Sequence, residues 1–278
     1  MGTIVVDGIR RELNLKQDAR DPKDFLRAIM SPADVAALPA FATTEAMKIP
    51  AYDQGNAGTC TGQMGRRLVE SFLRKRGTPR EVSALFPYWN GRPDPYEDSG
   101  TSIRDLVKAL AAKGACREST WPYDDQKACV KPPDTAFVEG ALLQALQYTR
   151  SQTLNQIRAT LARGNAVGFG TPVYPSFRDC IGGMVPMPTE AELNNWPLGY
   201  HAMTWGEFAI YDQAAPAVNT FSGVNSWGKM WGAHGRFTMT ADYVNTYCTD
   251  DWDVTEMESG EEEKCEESGF SRFWRWLF

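Results

Sequence analysis

Residues 53–60 read Asp-Gln-Gly-Asn-Ala-Gly-Thr-Cys, a polar, glycine-rich loop that ends at Cys60. Met64, Leu68 and Phe72 then recur at four-residue spacing, which predicts a helix that begins close to the cysteine. The N–H groups and the positive dipole end of such a helix stabilise a thiolate, the reactive form of cysteine. A lone cysteine is more often a small buried apolar residue. The glycine-rich loop favours the other interpretation, a nucleophile that a ligand can approach.

A thiolate nucleophile needs a base that can later protonate a leaving group, and histidine suits this task near neutral pH. The chain has two histidines. His201 begins an apolar, strand-like stretch, whereas His234 lies in the turn-like sequence Trp-Gly-Ala-His-Gly-Arg. Since an isolated histidine is more often structural than catalytic, neither one identifies the base by itself.

Three segments in order resemble the papain-like cysteine peptidases. Residues 53–60 resemble the Asp-Gln-Gly-x-x-Gly-Ser-Cys segment around that family's nucleophile, and residues 199–202 (Gly-Tyr-His-Ala) resemble the strand that carries its base. Residues 223–235 resemble its Asn-Ser-Trp-Gly-x-x-Trp-Gly-x-x-Gly signature. The similarity covers about residues 50–245 and is greatest to the microbial and viral branch, which lacks a long inhibitory propeptide.

The resemblance implies a catalytic set of four residues. Cys60 would be the nucleophile, and His201 the general base and acid. Asn225 would orient the imidazole, and Gln54 would donate its side-chain amide to the oxyanion. The implied reaction is endopeptidase hydrolysis of peptide bonds through a thioester, with peptides or proteins as substrates. We expect no metal and no cofactor, since the sequence has no Cys-x-x-Cys pair typical of a zinc site.

The resemblance also implies substrate contacts. Ser99 and Gly100 match the strip whose backbone aligns a peptide by strand-like pairing. Trp227 would shield the Asn–His hydrogen bond from water, although simple core packing would equally explain a tryptophan there. His234 falls in the variable part of the signature, and we assign it no catalytic role. Asn225 lies further from Cys60 than the family pattern has it, which an insertion around residues 212–216 would explain.

The arrangement of elements predicts an α+β fold. We expect helices over 102–113 and about 153–163, and strands over 166–170, 201–210, 218–224 and 236–240. With the resemblance, this becomes a papain-like helical lobe and a strand-rich lobe (an antiparallel sheet or barrel), with the active site in the cleft between them. The expected parts are an N-terminal extension (1–49), a helical lobe (50–150), a β-rich lobe (151–250), and an acidic linker with an aromatic tail (251–278).

Composition limits the binding partners and the cellular location that we expect. The net charge is −6 and there is no basic stripe, so nucleic acid is not expected as a partner. The charged N-terminal residues predict neither a signal peptide nor a membrane anchor, and hence a cytoplasmic or virion-associated protein. Among the six cysteines, Cys116 and Cys129 would pair in an oxidising compartment. Reduced, partly buried thiols are the favoured interpretation.

Both ends of the chain leave alternatives open. The extension 1–49 could block the cleft, be removed, or pack outside it. At the other end, seven glutamates between Glu256 and Glu267 precede Phe270-Ser-Arg-Phe-Trp-Arg-Trp-Leu-Phe278. This tail either docks on its own domain or anchors a protein partner, and membrane contact is not expected.

Two other functions compete with peptide hydrolysis. A papain-fold protein could serve as a structural or binding component of a larger assembly, such as a virus particle, with little or no turnover. Acyl transfer or deamidation would use the same dyad.

Overall fold

In the computed structural model, residues 2–212 and 218–258 are described. The helices are α1 (Pro32–Ala36), α2 (Cys60–Lys75), α3 (Leu85–Gly91), α4 (Ile103–Lys113), α5 (Asp134–Gly140), α6 (Leu154–Ala162), α7 (Glu190–Leu193) and α8 (Ala241–Tyr247). The strands are β1 (Gly2–Val6), β2 (Ile9–Leu13), β3 (Phe41–Thr43), β4 (Ala145–Ser151), β5 (Val167–Val173), β6 (Gly199–Ala209), β7 (Thr220–Val224), β8 (Arg236–Thr240) and β9 (Thr249–Met257).

One antiparallel sheet organises the second half of the chain. Its strands run in the order β4-β9-β5-β6-β7-β8, and β3 pairs with β6 off this path. Strand β5 is buried along its whole length, and β6 nearly so, because apolar clusters cover both faces. The predicted strands correspond to β5, β6, β7 and β8, so the α+β prediction is confirmed.

Local sequence signals explain the predicted helices. Ser102 caps α4 by accepting a hydrogen bond from the backbone N–H of Asp105 at 3.1 Å. Thr153 caps α6 in the same way. Helix α2 is buried even on its charged side, where Arg66 forms an ion pair with Glu70 at 2.8 Å. The pairing compensates for the loss of water around both charges.

The N-terminal extension is more structured than its weak periodicity predicted. Strands β1 and β2 form a hairpin whose Ile4, Val6 and Leu13 are buried in the same apolar cluster as Phe169 and Trp205. The hairpin was not predicted, because strands this short have little periodicity of their own. It is stabilised by burying side chains against the large sheet.

The cysteines and several segments singled out from the sequence remain to be placed. The described cysteines are free thiols, so the alternative pairing of Cys116 with Cys129 is not formed; Cys265 lies outside the described residues. So do the tail 270–278, most of the acidic linker, and residues 213–216 of the expected insertion. In the described part of the chain, no helix combines the length and apolar character needed to cross a bilayer.

Candidate active site

Cys60 is the first residue of α2, and its side chain is fully buried. Burial raises the pKa of the thiol to about 11, although hydrogen bonds from the backbone N–H groups of Ala202 and Thr61 act in the opposite direction. The expectation that the helix N-terminus makes Cys60 a thiolate is therefore wrong for this form of the protein. Desolvation outweighs the dipole and the N–H groups, and the sulfur carries a proton.

His201 and Asn225 come together because β6 and β7 are paired, with Thr204 opposite Val224. The imidazole Nε2 lies 2.7 Å from the Asn225 Oδ1. That oxygen also accepts the backbone N–H of Ser226 at 2.7 Å, which identifies it as the acceptor end of the amide. Nε2 therefore carries the imidazole proton, and Nδ1 is left with its lone pair.

The other imidazole nitrogen is free to act as a base. Nδ1 of His201 is buried and has no hydrogen-bond partner within the described residues. The backbone N–H of Ala202, the residue that follows His201, is close enough to the thiol of Cys60 to lower its pKa, so Cys60 lies near the strand that carries the imidazole. Burial lowers the pKa of His201 to about 4; the bond to Asn225 raises it and the nearby charge of Arg11 lowers it. Both groups are thus neutral in this form: Cys60 is a thiol, and His201 is an uncharged imidazole.

Gln54 is held by hydrogen bonds at its side chain and at its backbone. Its side chain is fully buried, with Nε2 donating to the carbonyl of Ala57 at 2.9 Å and Oε1 accepting from the Ser226 hydroxyl at 2.7 Å. Its backbone N–H donates to the Ser226 carbonyl at 2.8 Å. The amide has a second N–H, which leaves one donor for a ligand.

Trp227 fits both of its interpretations. Its ring centroid lies 4.6 Å from that of His201 and is tilted by 32°, so the indole covers the imidazole. The same ring contacts Phe177 and Trp231 and is only 1% exposed. It is therefore also part of the core.

The predicted substrate strip is occupied by the chain's own N-terminal segment. Gly100 has φ of +72°, and a Cβ there would lie 1.8 Å from the carbonyl oxygen of Asn14. The next residue, Thr101, accepts the backbone N–H of Lys16 at 3.2 Å. Ser99 accepts from the Lys16 ammonium at 3.4 Å. A glycine is needed at position 100 because another backbone passes directly over it.

Residues 14–24, which we call the strap, also contact the strand that carries His201. The N–H of Leu15 donates to the carbonyl of Tyr200 at 3.2 Å. The Leu15 side chain is 5% exposed and belongs to the same apolar cluster as Cys60 and Met64. Of the alternatives left open for the extension, the structure therefore shows the one in which it blocks the cleft.

The far end of the strap is attached by buried charges. The Asp18 carboxylate accepts from the Trp252 indole at 2.7 Å. Asp24 accepts from Arg104 at 2.7 Å and from Arg150 at 3.1 Å, and its side chain is 2% exposed. Burial raises the pKa of Asp24, but the two arginines outweigh this and lower it overall. Charge pairing thus keeps Asp24 ionised in the buried site.

Sequence reasoning missed two residues at this site. Asp98 accepts the N–H of Gly58 at 2.8 Å and so supports the loop before Cys60. Arg11 is buried and bonds to the same loop. A signal for Arg11 was present, because in the alternating stretch Ile-Arg-Arg-Glu-Leu it shares the inward face with Leu13. No local pattern distinguishes Asp98.

His234 is exposed, with φ of +56°, in the turn before β8. This placement agrees with giving it no catalytic role.

Comparisons with known proteins agree with the fold. No family model matches the chain. The chain is 32% identical over 225 residues, 74% of its own length and 69% of the relative's, to an uncharacterized peptidase C1-like protein of Acanthamoeba polyphaga mimivirus. Xylellain, a cysteine protease from Xylella fastidiosa, superposes with a TM-score of 0.78 at 26% identity, over 92% of this chain and 99% of that one. Digestive procathepsin L 3 of the Tenebrio molitor larval midgut has a TM-score of 0.64 at 15% identity, over 84% and 75%, a likeness of fold. The chain belongs to the papain-like cysteine peptidases.

Proposed function

We propose that the protein is a cysteine endopeptidase in which Cys60 forms a thioester with the acyl part of a peptide substrate. One observation carries the proposal. His201 binds Asn225 through Nε2 and leaves Nδ1 without a hydrogen-bond partner among the described residues, and the N–H of the next residue, Ala202, acts on the thiol of Cys60. In this tautomer Nδ1 keeps the lone pair that can take the sulfur proton once the thiol and the imidazole are in contact.

The first half-reaction follows from these positions. Nδ1 of His201 takes the proton of Cys60, and the sulfur attacks the carbonyl carbon of the scissile bond. The resulting oxyanion accepts hydrogen bonds from the backbone N–H of Cys60 and from the second N–H of Gln54. When the C–N bond breaks, His201 gives its proton to the leaving amine.

The second half-reaction uses the same residues. A water molecule loses a proton to His201 and attacks the thioester carbon, and the C–S bond breaks to release the carboxylic acid. An amine in place of water would give acyl transfer. The mass of the product distinguishes the two, since hydrolysis adds one water to the two fragments.

We propose peptides and proteins as substrates, aligned on the backbone of Ser99 and Gly100 with Trp227 nearby. In the closed form Asn14 lies directly over Gly100, and Lys16 bonds to Ser99 and Thr101, so a substrate requires the strap to leave. Release of the strap would also hydrate the dyad and bring the pKa values of Cys60 and His201 toward each other.

Labelling by a broad epoxide inhibitor of papain-like enzymes, read by intact mass, tests the proposal. We expect one adduct, located at Cys60 by peptide mapping and absent from Cys60→Ala. Because Cys60 is buried in an apolar cluster, the alanine variant should lose only about 1 kcal/mol of stability, as for removal of one buried heavy atom. If the folded protein is not labelled even after strap release, the protein is a structural or binding component and not an enzyme.

We further propose that the aromatic tail 270–278 binds a protein partner. Its large apolar side chains follow a glutamate-rich linker that would keep it apart from the domain by charge repulsion. Deleting 269–278 should abolish partner capture or self-association and leave hydrolysis of a small peptide unchanged. A lower melting temperature with unchanged association would mean instead that the tail docks on its own domain.

A further inference from the structure

Arg11 is a buried cation in the N-terminal hairpin. Its side chain is 1% exposed, whereas the preceding Arg10 is 66% exposed and pairs with Glu12 at 3.3 Å on the surface. Taking a guanidinium out of water is costly unless good acceptors surround it. The acceptors around Arg11 therefore indicate which part of the molecule the hairpin supports.

All of these acceptors lie at the proposed oxyanion site. Nη1 of Arg11 donates to the Asp53 carboxylate and to the Gly55 carbonyl at 3.1 Å. Nη2 donates to the other Asp53 oxygen at 3.3 Å and to the Trp227 carbonyl at 3.2 Å. The guanidinium thus binds the residue before Gln54, the residue after it, and the segment that follows Asn225.

These bonds fix the part of the loop that Gln54 cannot fix itself. The Gln54 side chain depends on Ser226 and Ala57, and its backbone depends on Ser226 and on the hydroxyl of Tyr123, which donates to its carbonyl at 2.7 Å. The direction of the peptide units on either side is set through Asp53 and Gly55. An oxyanion donor has to be held within about 0.5 Å of its working position.

We propose that Arg11 is a positioning residue for the oxyanion donor Gln54, and that hairpin β1–β2 therefore stays in place in the working enzyme. The inference rests on the proposed function. Its structural basis is a division of the extension into two parts. The hairpin is attached by buried Ile4, Val6 and Leu13 and by Arg11. The strap that follows is held by a different set of contacts, which are backbone hydrogen bonds to Tyr200 and Thr101 and the buried side chain of Leu15.

The test compares Arg11→Met with Arg10→Met. Methionine keeps an unbranched stem and removes every donor, and Arg10→Met makes the same change on the exposed side of the same strand. We expect Arg11→Met to lower kcat on a peptide ester about 10²-fold with little change in KM, since loss of one oxyanion donor costs about 10²–10³-fold. Arg10→Met should behave as the wild type. Arg11→Lys should not restore kcat, because its donors radiate from a single nitrogen and cannot span the acceptors that Nη1 and Nη2 reach separately.

Alkylation of Cys60 by iodoacetamide separates positioning from folding. The reaction displaces iodide and forms no oxyanion, so Arg11→Met should keep at least the wild-type rate at Cys60 while losing hydrolysis. Unchanged hydrolysis would overturn the proposal. A parallel loss of hydrolysis, alkylation rate and thermal stability would also overturn it, because it would indicate a structural role for Arg11. A rise in hydrolysis would overturn it as well, because it would mean that Arg11 only holds the extension closed.

Amide hydrogen exchange gives a test that needs no turnover. Arg11→Met should speed exchange of the amides of 54–58 at least tenfold relative to Arg10→Met, and equal exchange would overturn the proposal. If Arg11→Met does not fold, Asp53→Asn probes the same bond from a side chain that is 44% exposed, with faster exchange expected again. If the wild type hydrolyses nothing, the proposed function fails, while Arg11 is still judged by exchange.

Discussion

The backbone N–H of Leu15 donates a hydrogen bond to the carbonyl of Tyr200 at 3.2 Å, one residue before His201. One residue along, the N–H of Lys16 donates to the carbonyl of Thr101 on the opposite side of the cleft. The strap therefore bridges both walls of the site and keeps water from the dyad. Its release, more than the intrinsic chemistry of the cysteine, should determine how reactive Cys60 is.

Weakening the far attachment of the strap should expose Cys60. Asp24→Asn removes the charge that pairs with Arg104 and Arg150 and leaves both guanidinium groups short of an acceptor. We expect alkylation of Cys60 by iodoacetamide at pH 7 to rise at least tenfold, about 1.4 kcal/mol in the opening equilibrium.

Asp21→Asn is the matched control, since it makes the same change in the same segment. Its carboxylate accepts a local hydrogen bond from the N–H of Lys23 at 2.9 Å. Equal rates for the two variants would show that the buried charges do not hold the strap.

The two histidines should differ sharply. His201→Ala removes the proposed general base and acid, so turnover should fall by orders of magnitude. His234→Ala changes an exposed turn residue and should leave turnover close to that of the wild type. Steady-state rates on one peptide substrate measure both. Comparable losses would mean that the dyad is wrongly assigned.

Gln54→Ala should lower kcat by roughly 10²–10³-fold, the loss measured for removing one oxyanion donor in another enzyme. The variant also leaves the Ser226 hydroxyl without its acceptor, so a small loss of stability should accompany it. Rates and KM on a peptide ester decide the role. Unchanged kcat with a raised KM would make Gln54 a contact to the bound substrate and not to the oxyanion.

Local patterns in the sequence were enough to place the elements around the site. The capping residues Ser102 and Thr153 and the four-residue spacing after Cys60 depend on neighbours a few positions away, and the helices follow them. Family motifs supplied His201 and Asn225, and the hydrogen bond between their side chains agrees with that prediction.

The closed state could not be predicted in this way. It depends on contacts between residues far apart in sequence, such as Leu15 with Tyr200 and Asp24 with Arg150, and no periodicity indicates these contacts. The predicted protonation state of Cys60 was wrong for the same reason. The loop around a cysteine predicts donors to its sulfur, whereas burial by a distant segment decides its pKa.

Acid should destabilise the closed form through His201. Burial lowers the pKa of this imidazole from 6.5 to about 4. Between these values an open or unfolded chain binds a proton that the closed form does not bind. The contribution of His201 to the stability of the closed form is therefore fully present above about pH 6.5. It is lost as the pH falls toward 4, by about 1.4 kcal/mol for each pH unit. Cys60 destabilises the closed form at alkaline pH, since its pKa is raised from 9.0 to about 11 and the thiolate is favoured only in an open form.

Urea unfolding at pH 6.5 and pH 4.5 measures the acid effect, with His201→Gln as the reference. Glutamine removes the titrating group, and the contributions of Asp24 and the other carboxylates cancel in the comparison. We expect the wild type to lose about 2–3 kcal/mol more than the variant across this interval, from the pKa window above. Equal losses would mean that the imidazole is already hydrated and protonated in the native state. The strap would then not seal the cleft, and the neutral thiol–imidazole pair would have to be abandoned.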